Sequence, residues 1–168
     1  PLSEALELIL ATAVARPERE VVALEAAAHR FCAEAICADR AVPPADNSAM
    51  DGYAVASRDV PGVLSVSQRV PAGQAPAPLQ EGTAARIFTG AEIPEGADSV
   101  VLQEEAQMLA EGVKLPAATS GQHIRRRGDD IRPGDRLVAA GQRMAPQDIG
   151  LLASVGIDAL KVFRPLTV

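Results

Sequence analysis

The chain has 168 residues, 16 Lys and Arg against 22 Asp and Glu, and a net charge of -6. Hydrophobic residues make up 48%, enough for one core or two small ones, while aromatics make up only 2%, so any core is aliphatic. An acidic chain without tryptophan argues against duplex binding and base stacking, and no run approaches the roughly 20 apolar residues of a membrane span. These features describe a cytoplasmic, folded protein with no nucleic acid and no membrane among its partners.

Ser3 reads as the N-cap of an amphipathic helix with Glu4 in its first turn. Leu2, Leu6, Ile9 and Ala13 then recur at helical spacing until Pro17 stops the run. Glu20 to Leu24 favours strand, and Glu25 to His29 suits a brief helix. Cys32 to Ala38 alternates loosely enough for strand or helix and is taken as strand. Cys32 and Cys37, the only cysteines, stand in an alanine-rich stretch without a His-rich neighbourhood. They read as small buried or half-buried side chains, neither zinc ligands nor a disulfide. His29 and His123 are the only imidazoles, each a surface or core-edge residue before it is a ligand or base. No basic segment followed by an apolar one opens the chain, so no secretory signal is expected within it.

Residues Pro43 to Val55 concentrate polarity. Two prolines hold the approach extended, Asp46 and Asn47 are suited to bond neighbouring backbone groups, and Gly52 permits a backbone angle that a side chain resists. Asp51 is then held on a fixed turn. From Met50 to about Leu137 the texture is β, with short apolar runs at 63–66, 84–88 and 99–102 between Pro- and Gly-bearing turns. Pro71 to Pro78 is too rich in proline for an inner strand and reads as an ordered connecting or edge segment. Glu111-Gly112 reads as a hairpin turn. Ala145-Pro146-Gln147-Asp148 opens a second helix whose apolar side is Ile149, Leu152 and Val155, stopped at Gly156 and followed by a strand from Ile157 to Phe163.

The fold class that follows is mainly β with flanking helices, an α+β arrangement. Residues 1–40 and 138–168 are expected to form a discontinuous outer domain, a linker or dimerisation element, around an inserted β domain at 41–137.

Three segments carry a family resemblance. Asp46-Asn47-Ser48-Ala49-Met50-Asp51-Gly52-Tyr53-Ala54 resembles the signature of the MoeA family, molybdenum-inserting enzymes of molybdenum cofactor synthesis. Arg86 to Val101, which holds Phe88-Thr89-Gly90-Ala91, is similar to the family's second segment, and Gly121 to Ile131, which holds Arg125-Arg126-Arg127-Gly128-Asp129-Asp130, to its third. The likeness extends over Ala145 to Val168, with His29 standing where the family often has glycine. It implies coiled, bifurcated sheets and an elongated homodimer.

The implied reaction takes adenylylated molybdopterin and molybdate, inserts the metal at the dithiolene and releases AMP, assisted by magnesium. Molybdenum and tungsten are not distinguished. By family position Asp51, Thr89 and Asp130 are the catalytic candidates, with Asp51 also the candidate magnesium ligand. Asn47, Ser48, Gly90, Arg125 and Arg126 are the candidates for binding the cofactor being built. Magnesium takes oxygen ligands and keeps waters, so one or two carboxylates with a substrate phosphate suffice. Thr89 and the backbone N–H groups beside Gly90 suit a close approach to phosphate or pterin, and guanidinium groups fork phosphate or molybdate oxygens. The plainer alternatives are a carboxylate capping its own turn at Asp51, an ordinary Thr-Gly turn at Thr89, and a solvated arginine–aspartate network at 125–130.

No nucleophilic triad or phosphate-cradling glycine loop is present, so the chemistry expected is electrostatic positioning. Family members are considerably longer, with a third domain resembling a pterin-binding fold and a small fourth one. The end at Pro165-Leu166-Thr167-Val168 and the start without methionine are expected to mark a truncated chain. Two readings stand: the N-terminal part of a molybdenum insertase, with a molybdopterin-adenylylating protein as a further partner, or a dimerisation or scaffold module that retains the motif without turnover.

Overall fold

The structure, a computed structural model, describes residues 1–12 and 18–165. Its contacts divide the chain into two units, one from residues 1–38 and 134–168, the other from residues 39–133.

The first unit opens with α1 (Leu2–Thr12). The carbonyl of Pro1 accepts from Ala5 N–H at 3.3 Å, so the helix starts two residues earlier than a Ser3 cap would place it, and Ser3 is not its N-cap. The expected continuation through Ala13 to Pro17 lies outside the described residues. β1 (Arg19–Ala23) is followed by a short 3-10 turn at Leu24–Ala27, then by β2 (Ile36–Cys37). Cys32 to Ala38 is therefore not one strand. Phe31 and Cys32 instead make isolated bridges to Arg143 and Val162.

The second unit supplies β3 (Asn47–Ser48), β4 (Gly52–Val55), β5 (Gly62–Val70), β6 (Thr83–Ile87), β7 (Ser99–Leu102), β8 (Gln107–Leu109), β9 (Gly112–Leu115) and β10 (Ile124–Arg125). The chain then returns to the first unit with β11 (Arg136–Val138), α2 (Pro146–Ser154) and β12 (Ala159–Phe163).

In the first unit β1 pairs antiparallel with β12 and β2 with β11. Leu160 and Val162 alternate inward along β12, as a half-buried strand requires. They meet Leu24, Ala27, Met144 and Leu152 in one core. α2 begins with Pro146 at its first turn, and the Asp148 carboxylate accepts from Ala145 N–H at 2.8 Å. It ends in a Schellman motif: Ile157 N–H donates to Leu152 O and Gly156 N–H to Ala153 O, with Gly156 at φ +80°. The apolar side of α2 is spent inside this unit, since Leu152 and Val155 are 0% and 1% exposed. It is thus not a face kept for another chain. α1 differs, with Leu6 at 54% and Leu10 at 63% exposed. Cys32 is buried, which pushes its thiol up, whereas Cys37 is exposed against expectation.

The second unit is built on a six-stranded mixed sheet ordered β7-β4-β6-β5-β9-β8, with β5 and β6 its parallel pair. β7 and β8 lie at opposite edges, yet only residues 103–106 join them. A flat six-strand sheet would part its edges by about 24 Å, and five Cα steps reach at most ~18 Å. The sheet must curl. β4 lies inside it and is buried on both faces: Tyr53 and Val55 join Leu64 and Val101 on one side, Ala54 joins Val70, Ile87 and Val100 on the other.

Gly52 serves close approach here, not an unusual backbone angle. A Cβ at Gly52 would lie 1.9 Å from Val101 O, inside the β4–β7 ladder. The β8–β9 hairpin turns on Ala110–Glu111, with Gly112 already in β9, a shift of one residue from the expected turn. Pro71 to Pro78 connects β5 to β6, pinned where the Gln68 amide exchanges two hydrogen bonds with the Ala77 backbone.

Candidate functional site

The candidate site belongs to the second unit, and β3 assembles it. Two residues long, β3 pairs with β10 through Ser48↔Ile124 and Asn47↔Arg125. On its other side Asn47 bridges to Glu92, Ser48 N–H donates to Ala91 O, and Ser48 O accepts from Gly90 N–H. Segments from three parts of the sequence thus become neighbouring backbone.

β3 leads through Ala49 and Met50 to Asp51. Ser48 Oγ donates to Met50 O at 2.6 Å and also accepts from Met50 N–H, and Ser48 is only 2% exposed. Its hydroxyl is committed to the turn. The expected binding role of Ser48 is therefore corrected to a structural one.

Asp51 Oδ1 accepts twice from one residue, from Thr89 N–H at 2.7 Å and from Thr89 Oγ1 at 2.8 Å. Its Oδ2 takes no hydrogen bond among the described residues. The Thr89 N–H, then the Thr89 hydroxyl, and the nearby Arg86 charge hold the Asp51 carboxyl below the usual range against a partial desolvation. Asp51 is thus held anionic, with one oxygen anchored by Thr89 and the other without a hydrogen bond among the described residues.

The backbone around Gly90 corrects a second expectation. Thr89 N–H is used by Asp51, Gly90 N–H by Ser48 O and Ala91 N–H by Phe88 O. These donors hold the loop and do not form an open phosphate cradle.

In the third segment Arg125 Nη2 meets Asp130 Oδ2 at 2.5 Å and Arg126 Nη1 meets Asp46 Oδ2 at 2.6 Å. Asp46 also accepts Arg127 N–H at 2.8 Å through Oδ1. That N–H, with the Arg126 guanidinium, holds the Asp46 carboxyl below its usual range although burial opposes it. Both side chains of the Arg125–Asp130 pair are about half exposed, 51% and 50%, where such a pair contributes about 0–1 kcal/mol. Arg125 and Arg126 are engaged with carboxylates. No hydrogen bond or ion pair joins Asp130 to Asp51 or Thr89 among the described residues.

A cleft of about 280 Å³ lies beside this assembly, lined by Asn47 of β3, by Gly90 and Glu92 of the segment that bridges to it, and by Gly73, Gln74 and Ala75 of the proline-rich connection. Among the described residues no three His, Cys, Asp or Glu side chains converge as a metal cage.

Sequence reasoning passed over Arg86. Its guanidinium donates to Gly52 O, Ile87 O and Gln103 Oε1. The available signal was a cation inside an otherwise apolar strand, Ala84-Ala85-Arg86-Ile87, because a charged group half-buried in a sheet needs partners there.

The family described as MoeA N-terminal region (domain I and II) matches residues 1–156. The chain belongs to this family. It is 42% identical over 161 residues to the molybdopterin molybdenumtransferase of Haemophilus influenzae, covering 90% of this chain and 39% of that protein. The molybdopterin molybdenumtransferase of Synechococcus elongatus is 40% identical over 180 residues, covering 99% and 44%. A crystal structure of the molybdopterin biosynthesis MoeA protein from Pyrococcus horikosii superposes with a TM-score of 0.90 at 36% identity, covering 98% of this chain and 44% of that one. The chain thus spans about two fifths of the length of the curated relatives it matches. The MoeA fold accounts for the mainly β architecture and the curled mixed sheet.

Proposed function

We propose that this chain is the N-terminal part of a molybdenum insertase, which inserts molybdate into adenylylated molybdopterin and releases AMP in molybdenum cofactor biosynthesis. One observation carries the reading: Asp51, at the meeting of the family's segments, has Oδ1 fixed by Thr89 and Oδ2 without a donor among the described residues. A carboxylate so held is oriented without being neutralised, which suits it to direct a cation or a water at a charged substrate. The names borne by the relatives supply the substrate class.

Asp51 orients, Thr89 sets the direction of its free oxygen, and the backbone of β3 and Gly90 lines the adjoining cleft. The single open carboxylate oxygen fits a magnesium ion that takes its other ligands from water and substrate phosphate. When bound there, the ion would supply charge neutralisation at the phosphoanhydride that breaks as AMP leaves. Asp130 and Arg125 are proposed to act through the loop they brace, as a pair at the rim of the site.

The remaining walls of the site are assigned to parts of the full-length protein beyond this chain. The second reading, a dimerisation or scaffold module that retains the motif without turnover, is favoured by the exposed leucines of α1.

AMP release from adenylylated molybdopterin with molybdate and magnesium tests the proposal. The full-length protein is expected to release AMP, this chain alone to release none above blank, and full-length Asp51→Asn to lose most turnover with little loss of stability. Near-normal turnover in Asp51→Asn sinks the assignment of Asp51, and sustained turnover by this chain alone sinks the composite site.

A further inference from the structure

Arg86 stands in β6 opposite Tyr53 of β4. Its Nη1 donates to Gly52 O at 2.8 Å and to Ile87 O at 2.9 Å, and its Nη2 donates to Gln103 Oε1 at 2.5 Å. Each acceptor adjoins the Asp51–Thr89 pair. Gly52 follows Asp51 directly, Ile87 precedes Thr89 by two residues, and the N–H of Gln103 donates to the backbone oxygen of Asp51 at 3.1 Å. The guanidinium also lies 4.4 Å from the Phe88 ring centre and 5.3 Å from that of Tyr53. One cation thus grips three pieces of chain: the strand that leaves Asp51, the strand that delivers Thr89, and the turn after β7.

Its charge is not consumed in doing so. Arg86 makes no ion pair with a carboxylate among the described residues, so its field is left to act on Asp51, the carboxylate it influences. A strand that needed only packing at this position would be served by an apolar residue. A forked planar donor does what a lysine cannot, reaching two carbonyls and an amide at once while its face rests on Phe88.

We infer that Arg86 is the positioning residue of the site, fixing the separation of Asp51 and Thr89 so that Oδ1 is held and Oδ2 keeps one direction. It touches no reacting atom and acts through the pair. The inference rests on the reading of Asp51 and Thr89 as reaction groups, but its first readout does not depend on turnover.

The test uses the full-length protein labelled with [15N]threonine, with variants Arg86→Lys, Arg86→Met and Arg69→Met. Arg69 lies on Phe88 as well, 4.6 Å from its ring centre, and is the control. The Thr89 amide, which donates to Asp51 Oδ1, is expected to keep the same chemical shift and slow hydrogen exchange at neutral pH in wild type and in Arg69→Met. In Arg86→Met the shift moves and exchange quickens about tenfold or more as the hydrogen bond loosens, and kcat falls on the order of 100-fold with KM little changed. Arg86→Lys keeps the charge but not the grip, recovers only part of kcat, and serves as the readable variant where Arg86→Met fails to fold.

A Thr89 amide signal and exchange rate identical to wild type in both Arg86 variants overturns the inference, as does full kcat in Arg86→Lys or Arg86→Met.

Discussion

Asp51 and Thr89 lie 38 residues apart in the chain and share one oxygen atom, Asp51 Oδ1, which accepts both the backbone N–H and the hydroxyl of Thr89. The two donors differ in what mutation can remove. Thr89→Ala deletes the hydroxyl and leaves the N–H, so Asp51 keeps its place but gains rotational freedom. The full-length enzyme is expected to lose about tenfold in kcat with Thr89→Ala and to stay near wild type with Thr89→Ser. Thr89 is exposed, so neither change should move the melting temperature. Equal kcat in Ala and wild type would show that the hydroxyl contributes nothing.

Gly52→Ala is expected to be severely destabilising. The added Cβ would sit 1.9 Å from Val101 O and 2.9 Å from Val101 C, both backbone atoms of the adjoining strand, and neither can withdraw without opening the ladder. Loss of ~3 kcal/mol or more is expected in chemical denaturation. Gly62→Ala is the control, because its Cβ would come no closer than 3.4 Å to Asp59 O. A Gly52→Ala protein as stable as the control would mean that β4 and β7 are farther apart than described.

Acid should weaken the second unit through its aspartates. Asp98 is pushed up by burial but brought lower overall by Ser57 N–H at 2.7 Å, the Ser57 hydroxyl at 2.8 Å and Ser120. Asp46 and Asp51 are lowered as well. Because the folded state binds these protons less readily than the unfolded one, the stability they contribute is complete above the ordinary value of 3.8. It is lost as pH falls through the lower folded values. Denaturation midpoints measured from neutral pH down to about pH 2 should fall below pH ~4, and fall less steeply in Asp98→Asn. A midpoint independent of pH there would contradict the assignment.

The exposed leucines of α1 should report on assembly. Leu6 and Leu10 are one helical turn apart and remain 54% and 63% exposed. A homodimer of the full-length protein that covers them should dissociate on Leu6→Glu with Leu10→Glu. Light scattering across a concentration series should give a dimer for wild type and a monomer for the double variant. A wild-type monomer at micromolar concentration would remove the dimer from the proposal, and a dimeric double variant would place its interface away from α1.

Local chemistry was legible where the decisive partners lie within a few residues. Pro146, Asp148 and Gly156 bracket α2 because capping acts within one turn, and the runs at 63–66, 84–88 and 99–102 mark strands because turn residues bound them on both sides. Cys32 to Ala38 was not legible. Its backbone bonds go to Gln142, Lys161 and Asp135, and a loose alternation carries no record of partners so distant. Gly52 was visible as a glycine with a purpose, but the purpose, Val101 O pressed against it, belongs to another strand.

The sequence by itself determined the mainly β composition, the aliphatic core, the family and the residues worth examining, since all are properties of residue type and order. Only the tertiary structure decided what those residues do together. It spends the hydroxyl of Ser48 and the N–H groups around Gly90 internally, engages Arg125 and Arg126 with carboxylates, and brings Arg86 to the backbone on either side of Asp51 and Thr89. Hydrogen-bond capacity belongs to a residue, but whether it is already filled depends on neighbours delivered from elsewhere in the chain, and that delivery is made by the pairing of β3 and the curl of the sheet.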